Sequence, residues 1–455
     1  MAFNLGLVFQ WTAIGAMVVC AWLAFGRYGN IKLGDPDDTP DFSTLSWVAM
    51  LFPAGIGGGI MYWAAIEWAA YYITPPFGVD PSSAEAIKWA TSYGLFHWGI
   101  TPWCMYALPT IAISYSFYVK KIPYLRLSAA ILGEKCTTSP WAKLIDVSFM
   151  LGLIGGAGTS LSLTAPVVSA SFSQLTGIER SSNLDLMVIF ICVALFGFSV
   201  YRGLEKGIKK LADLNLYLSI IFLLFVLFAG PTIFILMMGT QSLGFMFANL
   251  IEMVSWTDAV GQTGFVQDWT IFYWAWWMAF APYVGIFVTR ISKGRTIRDI
   301  IFSMCIFGSL GGWLFMIILG NYALHLELTA AMPVVNMIEN DVFSAIATMI
   351  AHLPMGELAL ALFMIVTIIY VATTYDSASY TLAAAATKEL HSSEDPGKYH
   401  RLFWALILGI LPIILMYIGG LKVVQSAVLL AGLPIAIACV FMTITLIGWL
   451  KEDHS

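Results

Sequence analysis

Charged residues are scarce in this chain of 455 residues: Asp, Glu, Lys and Arg make up 11% of it, whereas 59% is hydrophobic. The few charges fall between long apolar runs that recur along the whole length, which excludes an ordinary soluble domain. The net charge of −5 carries little information because the charges lie in loops, and no basic face for nucleic acid is present. We therefore expect an all-α polytopic membrane protein, organised as one helical bundle.

Several chemical signatures are also missing. The six cysteines are scattered, mostly inside apolar runs, and show neither CxxC nor metal-ligand spacing, which favours reduced packing residues. A membrane enzyme would need a nucleophile, an acid pair or a metal set, and neither HExxH nor GxSxG occurs in the sequence. The start of the chain has no basic region and no small-residue cleavage site, so Phe9–Phe25 is expected to belong to a span.

The apolar runs divide into eleven predicted spans. Their approximate ranges are 5–26, 44–74, 88–118, 141–170, 184–201, 211–238, 268–290, 299–321, 355–384, 400–418 and 424–450. If the spans alternate, only Lys88, Arg180 and Lys422 of the 22 Lys and Arg fall on the outer side. This bias predicts a cytoplasmic C-terminus and an N-terminus outside.

Spans two to six and seven to eleven form two blocks of five. An odd block that is repeated lies upside down in its second copy, which is the arrangement of inverted-repeat transporters. The predicted organisation is a helix and cytoplasmic loop at 1–43, a first repeat at 44–238, an extracellular amphipathic segment at 239–267, a second repeat at 268–450 and a short cytoplasmic tail at 451–455. The amphipathic segment is expected to rest on the membrane surface or to touch a neighbouring subunit.

The stretch Asp268–Arg298 is the most unusual part of the sequence. It holds four tryptophans within nine residues and then Tyr283, before a basic cluster closes the span. At roughly 1.5 Å per residue, Trp277 lies about 14 Å below the outer end, near the membrane middle. Tryptophan normally marks the interface, so a cluster at mid-depth suggests an aromatic cage for a cation without a hydrogen-bond donor, such as a quaternary ammonium. Bulky helix packing is the alternative.

A second aromatic cluster, Phe96–Tyr106, reaches the same depth in span three. Trp98 is about 15 Å deep, and Trp98, Trp103 and Tyr106 fall within an arc of about 140°. The two clusters could therefore face each other across neighbouring helices. His97 has no carboxylate beside it in the sequence, and we expect a packed or hydrogen-bonded neutral ring.

Two stretches of small residues interrupt the spans. Pro53–Gly59 weakens span two near mid-membrane, where a broken helix can expose carbonyls to a binding site; a close helix crossing is the alternative. Glu67, farther along this span, is expected to be a solvated carboxylate near the outer surface. In span four, Gly155–Ser162 indicates small-residue packing or, alternatively, Thr159 and Ser160 as oxygen ligands.

Span nine carries a polar patch around Asp376. Its hydroxyl residues are Thr373, Thr374, Ser377 and Ser379. Hydroxyl and carbonyl oxygens suit a hard monovalent cation, and a buried acid in a membrane helix is a functional candidate. The alternative is that Asp376, near the cytoplasmic end, pairs with a loop Lys or Arg.

These motifs resemble those of the betaine/carnitine/choline transporter family. The matching stretches are FYWAWW and RISKGRTIRD within 269–298, FHWGITPW at 96–103, the glycine run at 55–59, GTSLSL at 158–163 and DSAS at 376–379. The resemblance implies a LeuT-like fold of two inverted five-helix repeats, usually assembled as a homotrimer. One extra helix precedes the repeats here, where members of the family usually have two.

The resemblance also implies the residues of a transport site. An aromatic box of Trp98, Trp103, Tyr106 and Trp277 would surround a trimethylammonium head, and Trp276 and Phe280 would line the path to the cytoplasm. Sodium would bind Ala54, Ile56, Tyr370, Thr373 and Thr374, and a second sodium would lie near Thr159, Ser160 and Tyr283. No cofactor is expected beyond Na⁺ as the coupling ion.

Two departures from the family pattern bear on the substrate. Gly59 stands where choline carriers tend to have an aspartate, which favours a zwitterion such as glycine betaine or carnitine. Asn215 stands where sodium-independent exchangers place an arginine, which favours sodium symport. The membrane is expected to be the bacterial cytoplasmic membrane. The alternatives are a sodium-independent exchanger, a carrier of choline or dimethylsulfoniopropionate, a channel, or a membrane enzyme acting on choline-type lipids.

Overall fold

The computed structural model of the chain describes residues 2–390, 394–418 and 421–454, without the side chains of 2–4, 158, 159, 411, 415–418, 421–425 and 427. Within these ranges the chain is helical, and the only β-pairing is an isolated bridge between Lys32 and Thr296. Ten of the described helices are long and apolar enough to cross a membrane, or eleven if one bent pair counts as a span. The predicted all-α polytopic membrane protein is confirmed, whereas the repeat boundaries stay a prediction.

The helices of the first half follow one another with short connections. They are α1 (Ala2–Phe25), α2 (Thr44–Ile56), α3 (Ile60–Ile73), α4 (Ala84–His97), α5 (Ile100–Ser114), α6 (Leu127–Leu132), α7 (Pro140–Thr176), α8 (Ser182–Arg202) and α9 (Lys209–Ala229). A π-helical segment, Leu204–Ile208, leads into α9. The long helices among them leave apolar side chains exposed on one side, which is the surface that lipid covers.

The second half is similar in construction. Its helices are α10 (Thr232–Ser255), α11 (Phe272–Ile291), α12 (Ile297–Phe302), α13 (Ser309–Phe315), α14 (Asn321–Leu328), α15 (Val334–Ala351), α16 (Gly356–Ala385), α17 (Lys398–Ile418) and α18 (Leu421–Asp453). Helices α12 to α14 form one continuous rod because π-helical turns, rather than loops, join them. Every residue of α11 is buried, which places this helix at the centre of the bundle.

Two predicted spans have the wrong ends. The span predicted at 211–238 stops at Ala229, because Gly230 breaks the helix and Pro231 has no backbone N–H to continue it. The span predicted at 299–321 continues to Leu328, because its π-helical turns absorb the irregularities without breaking the rod. Helices α4 and α5 are separated at Trp98 and Gly99, where one span was predicted.

Helix α10 is long and apolar enough to span, although the sequence placed most of it in an outer segment. Near its start Phe234 packs against His325 of α14, with ring centroids 5.0 Å apart. At its other end Trp256 stacks on Phe77, in the loop after α3, at 4.0 Å. Both ends thus lie against segments that the alternating topology puts outside, which favours a helix along the outer face. The range 239–267 stays a prediction.

The first loop, between α1 and α2, pairs with the segment that follows α11. The backbone N–H of Leu33 donates to the carbonyl of Arg295, and that of Gly294 donates to the carbonyl of Leu33, both at 2.8 Å. Asp38 accepts from the backbone N–H of Asp35 and pairs with Lys293 at 3.0 Å, and these contacts hold the pKa of Asp38 below its ordinary value. Because the folded-state pKa is lowered, this stabilisation is complete at neutral pH and is lost on acidification.

Candidate functional site

The membrane-spanning segment made by α2 and α3 is broken in its middle. The two helices meet at an angle of 53° across the glycines that follow Ile56. Gly57 has φ 71° and ψ 175°, a conformation that a side chain would strain, so glycine is required there. The predicted broken helix is therefore present, and it brings backbone carbonyls to the centre of the bundle.

The glycine run also allows two tryptophans to approach the backbone. A Cβ atom on Gly55 would lie 2.4 Å from the Trp103 ring, and one on Gly59 would lie 3.2 Å from the Trp276 ring. For Pro53–Gly59, a broken helix and a close helix crossing were the two alternatives, and the structure has both. A Cβ on Gly308 would lie 2.2 Å from the Trp103 ring, so two glycines leave room for this ring.

The rings of the predicted box converge on Trp277. The Trp277 centroid lies 5.7 Å from that of Trp98, 5.9 Å from that of Trp103 and 4.7 Å from that of Tyr106. Trp276 lies 6.3 Å from Trp98 on the neighbouring side. These residues come from the α4–α5 junction, from α5 and from α11, so the structure brings the two aromatic clusters of the sequence together.

A small cavity, with a volume of about 20 Å³, lies against these rings. Its lining consists of Gly55, Ile56, Gly57, Trp98, Tyr106, Ser160, Trp276, Trp277 and Phe280. Trp103 lies behind Trp277 and supports that ring rather than facing the cavity. Most of the lining is aromatic or backbone, which suits an apolar cation better than a ligand that needs many hydrogen bonds.

Glu67 is the site residue that the sequence interpretation missed. It is 1% exposed, and the expectation of a solvated carboxylate is wrong. The Tyr71 hydroxyl donates to Oε1 at 2.7 Å, and the Trp98 indole N–H and the Tyr273 hydroxyl donate to Oε2 at 2.8 and 2.5 Å. Counting residues along one straight span placed Glu67 at the surface, whereas the bent α3 packs beneath α4, α14 and α15.

His97 continues this network, and the expectation that no carboxylate lies beside it is wrong. Its Nδ1 is 2.9 Å from the Tyr71 hydroxyl and 3.6 Å from Glu67 Oε1, while Nε2 is 3.2 Å from the Thr270 hydroxyl. If Nδ1 carries the hydrogen, His97 donates to Tyr71, Tyr71 donates to Glu67, and Thr270 donates to Nε2. Every group then has a partner with the imidazole neutral, as the sequence interpretation expected.

Oxygen atoms of α16 meet the broken end of α2 on the other side of the cavity. The Thr374 hydroxyl lies 3.2 Å from the Pro53 carbonyl and 2.9 Å from the Tyr370 carbonyl, and it is fully buried. Thr373 lies 2.9 Å from the same Tyr370 oxygen. Ala54 and Ile56, the other predicted ligands, are buried on the last turns of α2. The α2 carbonyl that actually contacts Thr374 is that of Pro53, which was not predicted.

The second predicted set of sodium ligands is only partly described. The side chain of Thr159 lies outside the described residues. Ser160 is buried and lines the cavity, and its hydroxyl has no hydrogen-bond partner among the described residues. Tyr283 contacts the first set instead: its hydroxyl is 2.9 Å from the Ser377 hydroxyl and 3.3 Å from the Thr374 carbonyl.

Asp376 is fully buried in α16. The Ser199 hydroxyl of α8 donates to its Oδ2 at 2.6 Å, while Oδ1 has no hydrogen-bond partner among the described residues. No Lys or Arg of the described ranges lies within salt-bridge distance of it, so the alternative of a loop pairing is wrong. The acid therefore links α8 to the helix that carries Thr374.

The C-terminal end of α11, predicted to lie on the cytoplasmic side, is held by a second polar cluster. Asp395 accepts a hydrogen bond from the Tyr380 hydroxyl at 2.9 Å, and its carboxylate is 3.2 Å from Arg401 and 3.8 Å from Arg290. Arg290 also contacts the Tyr380 hydroxyl at 3.1 Å. This Asp395 cluster joins the end of α11 to α16 and α17 beneath the aromatic rings.

The arrangement defines a class of protein before any comparison. A cavity lined by aromatic rings in a helical membrane bundle, beside a broken helix and buried oxygen atoms, is typical of a transporter for a small ligand. Comparison with known proteins agrees: the family model for BCCT, betaine/carnitine/choline family transporters, matches residues 1–455. The chain belongs to this family of membrane transporters and is therefore a secondary transporter and not an enzyme.

Two curated relatives support the assignment. The chain is 36% identical over 445 residues to a carnitine transporter of Acinetobacter baumannii, which covers 97% of this chain and 80% of that protein. It is 34% identical over 445 residues to the uncharacterized transporter YeaV of Escherichia coli, covering 97% and 92%. The suspected family is thereby confirmed.

Among solved structures, a Na⁺-coupled sialic acid symporter in a substrate-bound outward-open state resembles the chain more distantly. The identity is 12% and the TM-score 0.45, with 96% of this chain and 82% of that one covered.

Proposed function

We propose that this transporter imports a quaternary-ammonium zwitterion, such as glycine betaine or carnitine, together with sodium across a bacterial cytoplasmic membrane. The observation that carries the proposal is the convergence of Trp98, Tyr106 and Trp277 on one buried cavity. A trimethylammonium group has no hydrogen-bond donor, so aromatic faces are the natural partners for it in a water-poor site. The carnitine transporter that the chain resembles supports this substrate class.

Sodium coupling is supported by the geometry around Thr374. This residue joins α16 to the broken end of α2, so an ion held between the two helices would stabilise the bent glycine run beside the cavity. Substrate and ion would then favour the same conformation, which couples their binding energies. Buried hydroxyl and carbonyl oxygens are suitable ligands for such a hard cation.

Gly59 supports a zwitterion over choline. A Cβ on it would lie 3.2 Å from the Trp276 ring, and no carboxylate is among the described residues that line the cavity, so none contacts the cationic head directly. Phe280, which also lines the cavity, leaves its inner end apolar. A zwitterion brings its own carboxylate into the cavity, in place of the aspartate that choline carriers of the family tend to have at the position of Gly59.

The test is uptake into proteoliposomes of labelled glycine betaine, carnitine, choline and dimethylsulfoniopropionate, with sodium or potassium outside. We expect saturable uptake of a zwitterion that requires a sodium gradient. Equal uptake rates in potassium would exclude sodium symport and favour an exchanger. Faster uptake into vesicles preloaded with substrate would then identify the exchanger. Flux that does not saturate would instead indicate a channel.

A further inference from the structure

Glu67 is a buried carboxylate, and the basic group nearest to it among the described residues is His97, with Nδ1 3.6 Å from Oε1. Its oxygens accept three hydrogen bonds, from Tyr71, Trp98 and Tyr273, and no Lys or Arg of the described ranges lies within salt-bridge distance. A carboxyl group that accepts three hydrogen bonds, without donating any, is best satisfied in its ionised form. With His97 neutral, Glu67 holds an uncompensated negative charge in the interior, an arrangement that is costly without a cationic partner.

That charge lies directly behind a wall of the aromatic box. The Trp98 indole donates to Glu67 Oε2 at 2.8 Å, and the same ring faces the cavity and lies 5.7 Å from Trp277. The hydrogen bond fixes the ring orientation. It also increases the electron density of the indole, because the carboxylate polarises the N–H bond, and a more electron-rich face attracts a cation more strongly.

Glu67 also contacts α11, the helix that carries Trp276 and Trp277, through Tyr273. Its hydroxyl donates to Glu67 at 2.5 Å, and its ring lies 5.7 Å from Trp98 and 6.2 Å from Trp276. Because Tyr273 is one helical turn before Trp277 on α11, the carboxylate fixes the two helices that carry the box relative to each other.

We propose that Glu67 is a positioning and specificity-determining residue: its carboxylate orients Trp98 and supplies the negative charge that the cationic head of the substrate balances. This rests on the proposed function and adds a residue to it. The box then recognises positive charge in two ways, through the aromatic faces in contact and through the carboxylate behind them. A neutral ligand group of the same shape would be stabilised only by its packing against the rings and not by the charge.

The test uses two ligands of the same shape that differ in charge. Glycine betaine and 3,3-dimethylbutanoate share the carboxylate, but the second has a tert-butyl group in place of trimethylammonium. Competition against labelled betaine on the purified, detergent-solubilised protein gives both inhibition constants and hence the preference for the cation. The preference is measured for the wild type, for Glu67→Gln and for Glu85→Gln, an exposed acid paired with Lys88.

We expect Glu67→Gln to lower the preference about 10- to 30-fold, the size expected for one charge roughly 8 Å away at an effective dielectric constant of about 20. Glu85→Gln should leave the preference unchanged. A residue with only a structural role would weaken both ligands equally, and that result would overturn the inference while leaving the proposed function intact. A folded wild type that binds no quaternary ammonium compound would instead overturn the proposed function.

Glu67→Asp provides a second, independent variant should Glu67→Gln not fold. It keeps the charge but is one methylene too short to hold Trp98 in place. We expect a lower affinity for both ligands and a preference for the cation within about threefold of the wild type, because the charge remains. A preference that disappears in Glu67→Asp would show that the charge is not what the box uses.

Discussion

At the scale of single residues, the box depends on Trp277, whose ring touches three others. Trp277→Leu removes one aromatic face, worth on the order of 1–2 kcal/mol in a dry site, so we expect betaine affinity to fall about 5- to 30-fold. Expression should be retained because leucine still fills most of the space. Binding to purified protein measures the change, and Trp141→Leu, a 65% exposed tryptophan on the outer surface of the bundle, is the control.

An unchanged affinity in Trp277→Leu would refute the aromatic box, whatever the family of the chain.

Two adjacent glycines of α7 offer a sharper test of the inner end of the cavity. A Cβ on Gly156 would lie 2.8 Å from Phe280 Cε2, whereas one on Gly155 would have nothing within 4 Å. Gly156→Ala should therefore tilt the Phe280 ring and raise KM severalfold. Gly155→Ala should leave transport unchanged and raise helix stability by up to about 1 kcal/mol. Equal uptake kinetics in the two variants would show that Phe280 does not shape the site.

The box was predictable from the sequence and Glu67 was not, for one physical reason. The depth of a residue in the membrane can be calculated from its position in the sequence as long as the helix is straight. This calculation is valid for Trp98 and Trp277. Glu67 follows the bend at Gly57, and α4, α14 and α15 pack against α3, so counting along a straight span placed it in solvent. One signal was present: Trp63 and Tyr71 lie four residues on either side, so Glu67 occupies an aromatic helix face.

At the scale of helices, Thr374 links α16 to the break between α2 and α3. Thr374→Ala removes the hydroxyl near the Pro53 carbonyl, so we expect a higher sodium concentration for half-maximal uptake. The matched control is Thr367→Ala on the same helix, where an equally buried hydroxyl donates only to the Phe363 carbonyl one turn back. The measurement is uptake against sodium concentration in proteoliposomes, and the same shift in both variants would argue against a sodium site at Thr374.

The Asp395 cluster contacts the C-terminal end of α11, which is predicted to face the cytoplasm. Asp395→Asn weakens the contacts with Arg401 and Arg290, and because Asp395 is 37% exposed we expect an effect of only about 1 kcal/mol. That is roughly a fivefold shift toward conformations open to the cytoplasm. Efflux from loaded vesicles should become faster and the apparent affinity for external substrate lower.

The control for this cluster is Asp37→Asn, an exposed acid of the first loop. If Asp395→Asn transports like Asp37→Asn, the contacts around Asp395 play no part in closing the cytoplasmic side.

At the scale of the whole molecule, the outer position of α10 decides the topology. If α10 lies along the outer face, the loop after it is outside, whereas a membrane-crossing α10 would put that loop in the cytoplasm. Val260, which is 97% exposed, reports on this loop, and exposed Lys206 reports on the predicted cytoplasmic side. All six native cysteines are buried, so single cysteines can be introduced without removing them.

We expect a membrane-impermeant maleimide added to intact cells to label Val260→Cys but not Lys206→Cys, and both to react once the membrane is opened. The unchanged protein should react in neither case. This pattern follows from the positive charges as well as from the packing, because Lys206 belongs to the basic loops that remain inside. Labelling of Val260→Cys only after opening would mean that α10 crosses the bilayer, and the inverted pairing of the two five-helix blocks would then fail, because the extra crossing changes the orientation of α11.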